Sequence, residues 1–242
     1  MGNGNKILVD TYEIGPYVVA IYLIRNSTER FYYVEEVDTK ISGKNILKEL
    51  LAEMKKNQIL TSKRGFFKID ELLKIRKNEA LSFLLNKYPE IPPSSSEKIA
   101  ELSCYETIGI SSIAPFLLDT NVEEFYLDKE LTNIYLDHRK WGRCRTSVTL
   151  TERDIERIIT RVRAECEMQL DESKPSLKTE IVTDKFHVRV SIDIPPLAAE
   201  GVQLDCRKLR KKPFTIPELI YNKTLSAQAA AYLLFCLLRR IN

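Results

Sequence analysis

Three short runs of alternating apolar and polar residues occupy the last third of the chain. They extend over Leu177 to Val182, His187 to Ile194 and Val202 to Leu209, with turn-forming residues between them. Runs rich in Val and Ile between such turns predict β-strands. Pro213 follows the third run and ends the predicted sheet, because proline has no N–H to donate to a neighbouring strand.

The first 87 residues predict a small α+β module. Two apolar runs, Tyr17 to Ile24 and Phe31 to Val37, flank a polar turn and predict a β-hairpin. Helical spacing of apolar residues follows over Gly43 to Lys56 and Ile69 to Tyr88. This part contains no His and no glycine-rich phosphate loop, and its basic residues alternate with acidic ones, which is typical of a solvated surface.

Residues 88–96 are rich in proline and serine and predict a flexible linker between two modules. In the second module, residues 97–215, several short strands accompany a helix predicted over Glu152 to Leu170. Thr149 and Glu152 have the spacing of a capping box at its start. One such helix on a sheet predicts a two-layer domain, so the fold class is α+β with two small α/β modules.

The final segment, residues 216–242, contains a helix that we predict to begin after Thr224 to Ser226 and to continue through Arg240. Its residues from Ala229 to Leu238 are apolar on nearly all sides, which is typical of a helix built for burial. We expect part of this helix to be exposed, or packed on a neighbouring chain, in the absence of the domain to which it would belong. It is too short to cross a bilayer, and no stretch of the chain approaches ~20 consecutive apolar residues.

Composition narrows the possible functions. The formal net charge is +3, so a general affinity for nucleic acid is not indicated. The five cysteines are scattered without a C-x-x-C pair, which is typical of a cytosolic protein. Neither His138 nor His187 lies at ligand spacing from a cysteine, and we expect no metal site.

An ordered series of short motifs over roughly residues 100–242 resembles the type II and type IV secretion ATPases, and the archaeal branch most of all. These ring-forming motors drive protein export and the assembly of pili and archaella. The matching segments are Ile113 to Asp119, Val122 to Tyr126, Asp137 to Gly142, Asp171 to Leu177, His187 to Ser191, Arg207 to Thr215 and Thr224 to Tyr232.

The resemblance implies a PAS-like sheet flanked by helices for residues 97–215, followed by a hinge near Pro213 to Asn222 and the first helix of an ATPase domain. In the family a phosphate-binding loop follows within a few residues of the position of Leu238. This sequence ends at Asn242 and contains no G-x-x-x-x-G-K-[ST]. We therefore expect a non-catalytic N-terminal arm, truncated before the loop, with no catalytic residue and no cofactor of its own.

The resemblance also implies the partners of the arm. The C-terminal ATPase domain of the full-length protein would bind ATP and Mg²⁺, and neighbouring subunits would complete a homohexamer. Extra N-terminal modules of the family dock onto a membrane platform protein of the secretion machine, so residues 1–87 are a candidate docking module. The expected location is cytoplasmic, peripheral to the inner face of the membrane, without a nucleic-acid partner.

Three arginines are the candidate nucleotide contacts. The resemblance implies that Arg189, Arg207 and Arg210 reach the phosphates of ATP held by the ATPase domain, and the planar guanidinium suits that role. Two other interpretations remain open: Arg189 can simply lie on the solvent face of a half-exposed sheet. The basic residues from Arg207 onwards can protect an edge strand from pairing.

Other sites and functions are less favoured. Asp171, Glu172 and Glu180 are carboxylates without a neighbouring nucleophile, so solvated side chains are the simpler explanation. A stand-alone interaction or adaptor module is the main alternative to the secretion motor. A platform for single-stranded nucleic acid ranks lower, because it needs aromatic and basic residues on one sheet face, and Phe186 and Phe214 are isolated.

Overall fold

The computed structural model describes residues 6–25, 28–37, 41–61, 67–209 and 213–240. Contacts divide the chain into two compact units, Met1–Leu209 and Arg210–Asn242. Strands and helices are mixed in the first unit, which confirms the predicted α+β class.

Nine strands of the first unit form one sheet in the order β1-β2-β3-β6-β5-β4-β9-β8-β7. Neighbouring strands are antiparallel except for β3 and β6, which are parallel. The strands are β1 (Lys6–Ile14), β2 (Tyr17–Ile24), β3 (Arg30–Glu36), β4 (Val122–Leu127), β5 (Asn133–His138), β6 (Gly142–Thr149), β7 (Ser176–Val182), β8 (His187–Asp193) and β9 (Gln203–Lys208).

The described helices of the first unit pack against one face of this sheet, and we call the opposite face, which carries exposed residues such as Arg189, the open face. Apolar residues of α2 to α5 belong to the same buried cluster as the inward-facing strand residues, and α1 packs with α2 and α3 in a second cluster. The helices of the first unit are α1 (Ile41–Thr61), α2 (Ile69–Lys87), α3 (Pro93–Ile108), α4 (Ala114–Leu118) and α5 (Glu152–Cys166).

The sequence patterns explain which face is covered. In β8 the residues Val188, Val190 and Ile192 are buried, whereas Arg189 between them is exposed. This alternation follows from the period of two in a strand, and it assigns one face of the sheet to the core and the other to solvent.

The expected separation of two modules at residues 88–96 is not found in the structure. Strand β3 from the first expected module pairs with β6 from the second, with Phe31 opposite Arg145. Residues 93–96 are not a linker but the first turn of α3, where Ser96 is buried. Proline is well tolerated in the first turn of a helix, which explains why a proline-rich stretch can begin one.

A buried polar cluster also joins the two expected modules. Asp119, which has no exposed surface, accepts hydrogen bonds from the hydroxyls of Tyr12 (2.6 Å) and Tyr32 (2.9 Å). The ring of His138 contacts the Tyr12 hydroxyl through Nε2 at 3.1 Å. Burial raises the pKa of Tyr32 and lowers the pKa of His138. Strands β1, β3 and β5 are therefore fixed to the loop before β4.

Helix α5 begins differently from the prediction. The capping box is formed by Thr151 and Asp154, not by Thr149 and Glu152, because Thr149 is still the last residue of β6. The helix ends at Cys166, since Glu167 adopts a positive φ of 55°. Of the five apolar residues that helical spacing predicts to be buried in α5, Ile155, Ile158 and Val162 are buried, whereas Ile159 and Cys166 are only partly buried.

The second unit consists of two helices in its described residues, 213–240. They are α6 (Ile216–Tyr221), capped by Thr215 and Glu218, and α7 (Ala227–Leu238), which Ser226 caps as predicted. Helix α6 occupies much of the segment that was expected to be a hinge. Although α7 is apolar, many of its large side chains are exposed: Tyr232, Leu233, Leu234, Phe235, Leu237 and Leu238.

Candidate functional site

Four charged side chains form a row across the open face of the sheet. Glu180 on β7 is opposite Arg189 on β8, and Arg189 is opposite Arg207 on β9. Arg207 in turn is opposite Glu124 on β4. We call these four residues the charge row. Its sequence of charges across the strands is negative, positive, positive, negative.

Each arginine of the charge row is paired with the carboxylate on its outer side. Arg189 donates to Glu180 Oε1 from Nη2 at 2.6 Å and from Nε at 3.2 Å. Arg207 Nη2 donates to both carboxylate oxygens of Glu124 at 3.0 Å. The hydrogen bond from Arg189 holds the pKa of Glu180 below its usual value, and Glu124 raises the pKa of Arg207.

Both arginine side chains are accessible to a ligand. The side chain of Arg189 is 58% exposed, and that of Arg207 is 63% exposed. Like charges directly opposite each other on neighbouring strands repel, and the two flanking carboxylates offset this repulsion. Two exposed guanidinium groups side by side are also an arrangement suited to a phosphate group, because each can donate two parallel hydrogen bonds.

The strand that carries Arg207 is interior, so the hypothesis of an edge strand protected by charge is wrong. Strand β9 lies between β4 and β8, where both of its sides are hydrogen-bonded. The hypothesis failed because strand order in a sheet depends on long-range pairing that a single run of residues does not reveal. Arg210, the third candidate, lies outside the described residues.

The basic residues near the end of β9 divide between the two faces of the sheet. Arg207 faces the open side, whereas Lys208 is turned inward and donates to the backbone oxygens of Phe116 (3.2 Å) and Asp119 (2.5 Å). Burial lowers the pKa of Lys208 to about 8. Lys208 therefore anchors the end of β9 to the loop after α4 and is not available on the side of the charge row.

An aromatic and basic group lies next to the charge row on the open face. Tyr126 on β4 and Tyr135 on β5 are opposite each other, with ring centroids 6.3 Å apart and an interplanar angle of 14°. The guanidinium carbon of Arg143 lies 5.3 Å and 5.0 Å from their centroids. Sequence analysis missed this group because its members come from three strands and meet only through the register of the sheet.

The remaining sequence candidates have structural explanations. Asp171 accepts hydrogen bonds from the backbone of Ser173 and Lys174, as a solvated turn residue does. Phe186 is buried in the core, and Phe214 belongs to the second unit.

Within the described part of the chain, no group of three or more His, Cys, Asp or Glu residues could hold a metal ion. Among the same residues, none of the helices has the length and apolar character needed to cross a membrane.

Comparisons with known proteins give distant similarities. No protein-family model matches the chain. An uncharacterized protein of Methanocaldococcus jannaschii is 25% identical over 236 residues, which are 96% of this chain but only 31% of that protein. The chain thus spans less than half of the curated relative that it matches.

Among solved structures, the VirB11 ATPase of the Brucella suis type IV secretion system, in complex with sulphate, is similar to part of the chain. The similarity covers 50% of this chain and 35% of that one, with a TM-score of 0.42 and 14% sequence identity. At this distance it supports no conclusion about the site.

Proposed function

We propose that this chain is the N-terminal, non-catalytic arm of a secretion ATPase that powers protein export or the assembly of a pilus or archaellum. The ordered series of motifs over residues 100–242 supports this assignment. The observation that carries the proposal is the placement of Arg189 and Arg207 opposite each other on an exposed sheet face. Both residues belong to segments that resemble the family.

The arginines would act on ATP bound with Mg²⁺ by a C-terminal ATPase domain. ATP supplies the phosphoryl group, and the role of this chain is electrostatic. Guanidinium groups held by adjacent strands are positioned in advance, so they can stabilise negative charge on the γ-phosphate without reorganisation. Arg210 is proposed for the same role on the basis of the resemblance.

Movement of the arm would couple hydrolysis to assembly. Closure of two domains around a ligand requires a few backbone positions that absorb the change. We place these positions at residues 213–215, the part of the expected hinge that precedes α6, with residues 216–242 as the start of the ATPase domain. Residues 1–87 would contact the membrane platform, and neighbouring subunits would complete a hexamer at the inner face of the membrane.

The test is ATP turnover by the complete product of the gene that encodes this chain. We expect Mg²⁺-dependent hydrolysis, and we expect Arg189→Ala and Arg207→Ala each to lower kcat by about a thousandfold or more, because arginines that stabilise the transferring phosphate have effects of this size. Arg139→Ala is the matched control, since Arg139 is an exposed arginine paired with Glu123 away from the charge row. Its kcat should match that of the unmodified protein.

Two results would contradict the proposal. Absence of ATP hydrolysis by the complete protein would favour the adaptor module instead. Unchanged turnover in both Arg189→Ala and Arg207→Ala would remove the role of these arginines, even if the complete protein hydrolyses ATP.

The group of Tyr126, Tyr135 and Arg143 favours a second candidate, a platform for single-stranded nucleic acid. Bases stack on aromatic side chains, of which these two are half-buried, and arginine adds a cation–π contribution. Fluorescence anisotropy with labelled oligothymidine and oligouridine tests it. Micromolar binding that is lost in Tyr135→Ala would favour this candidate, and absence of binding at low salt would eliminate it.

A further inference from the structure

The arginines of the charge row are engaged by carboxylates of the same protein. Arg189 is held by Glu180, and Arg207 is held by Glu124 through both carboxylate oxygens. A phosphate group that binds either guanidinium fully must replace these contacts, because both ligands use the same N–H donors. The two glutamates are therefore in direct competition with any phosphate that reaches this face.

We propose that Glu180 and Glu124 are competing carboxylates that weaken phosphate binding at Arg189 and Arg207 and release the arginines only when a multiply charged phosphate approaches. This inference rests on the proposed function, since it assigns a regulatory role to the neighbours of the same arginines. The ligand class is a phosphate chain, such as the triphosphate of a nucleotide, which can bridge both guanidinium groups.

The geometry allows this exchange without a change of fold. The four residues lie on four adjacent strands, so the backbone fixes the row, and only side-chain rotation is needed to release a guanidinium. Exposed ion pairs are weak and are screened by salt, which keeps both arginines exchangeable. A dianion between Arg189 and Arg207 would also relieve the repulsion between two positive charges that face each other.

The two ends of the charge row differ in their surroundings. The side chain of Glu180 is 43% exposed, whereas that of Glu124 is 21% exposed. His187 contacts Glu180 at 3.3 Å and provides an alternative partner for this carboxylate when Arg189 leaves. Asp205 lies beside Glu124 on the next strand and can retain Arg207 electrostatically. Arg189 is therefore the arginine that we expect to be released first.

The experiment is a titration of the 242-residue chain with inorganic tripolyphosphate at low salt, followed through the side-chain Nε–Hε NMR signals of the arginines. We expect the signals of both arginines to shift, that of Arg189 at a lower tripolyphosphate concentration than that of Arg207. Glu180→Gln should lower the dissociation constant about two- to fivefold, the size expected for loss of an exposed ion pair. Glu124→Gln should also lower the dissociation constant, but by less, since Asp205 still holds Arg207 electrostatically.

Glu123→Gln is the matched control. It removes the same charge from the same strand as Glu124, but Glu123 is paired with Arg139 and lies outside the charge row. Equal strengthening in Glu123→Gln and Glu180→Gln would show a general effect of net charge and would overturn the proposal. An unchanged dissociation constant in Glu180→Gln would also overturn it.

Failure of this inference can be distinguished from failure of the proposed function. If Glu180→Gln binds tripolyphosphate no better while Arg189→Ala abolishes turnover in the complete protein, the competition is wrong and the function stands. If Glu180→Gln binds better while Arg189→Ala leaves turnover intact, the site binds phosphate but does not serve ATP hydrolysis.

Discussion

At the scale of single residues, the carboxylate of Asp119 is a buried charged-type side chain whose two oxygens both accept hydrogen bonds. It is completely buried, and it accepts hydrogen bonds from the hydroxyls of Tyr12 and Tyr32 and from the backbone N–H of Asn121 at 2.8 Å. A buried carboxylate is tolerated only when hydrogen bonds replace its hydration. Each donor in this cluster is thus expected to contribute to stability.

Replacing Tyr32 by phenylalanine removes one of these donors and leaves the ring in place. We expect a loss of about 1.5–3 kcal/mol in the free energy of unfolding, because hydrogen bonds to charged groups have this value. Urea denaturation monitored by circular dichroism measures it. Tyr33→Phe is the control on the same strand, since the Tyr33 hydroxyl donates to Glu35 at the exposed surface. A loss in Tyr32→Phe no larger than that in Tyr33→Phe would contradict this role of Asp119.

At the scale of elements, the beginning of α5 depends on a cap that lies two residues after the predicted one. Thr151 Oγ1 accepts from the backbone N–H of Asp154 at 3.3 Å, and the Asp154 carboxylate accepts from the backbone N–H of Thr151 at 3.1 Å. Thr149 remains in β6, opposite Asn133. The two threonines therefore have different roles although each has an acidic residue three positions later.

Thr151→Ala should destabilise the protein by about 1 kcal/mol, the usual cost of losing a threonine N-cap. Thr149→Ala should have a smaller effect, because Thr149 is exposed at the end of its strand. Thermal unfolding of the two variants side by side distinguishes the two caps. A larger loss in Thr149→Ala would place the start of the helix where the sequence pattern first indicated it.

Local patterns predicted the elements better than their connections. The hairpin of β2 and β3, the buried stripe of α5 and the cap of α7 follow from residues close together in the sequence. Strand β1 was missed, although Lys6–Ile14 pairs with β2 along its length. The charge row could not be predicted as a unit, because Glu124 and Arg207 are brought together by the register between β4 and β9. Register is set by burial of one whole sheet face, which no single segment specifies.

At the scale of the whole molecule, one sheet joins all the described strands from β1 to β9, and the larger of the two buried clusters draws residues from both ends of that sheet. The cluster of buried residues includes Ile21 and Tyr32 from the first strands together with Phe125 and Leu136 from the central ones. We expect a common core of this kind to unfold cooperatively, because neither part retains its buried surface when the other is lost. The proline-rich stretch at residues 88–96 therefore connects parts of one cooperative unit.

Thermal denaturation of this unit should give one transition, with the same midpoint by far-UV and near-UV circular dichroism. A chain that begins at residue 88 should lack fixed tertiary structure, because it loses the strands and the tyrosines that cover Asp119. A chain that ends at Leu209 is the control and should keep the transition, since residues 1–209 are a compact unit by themselves. Two separate transitions, or a well-folded chain from residue 88, would restore the two-module interpretation.

The parallel pairing of β3 with β6 has a consequence for biosynthesis. Strand β3 is complete at Glu36, but its partner begins only at Gly142. During synthesis, the edge of the hairpin formed by β3 therefore stays unpaired until about a hundred further residues have been made. Contacts between segments so far apart form late and slowly. An unpaired strand edge of this kind is prone to aggregation while the protein folds.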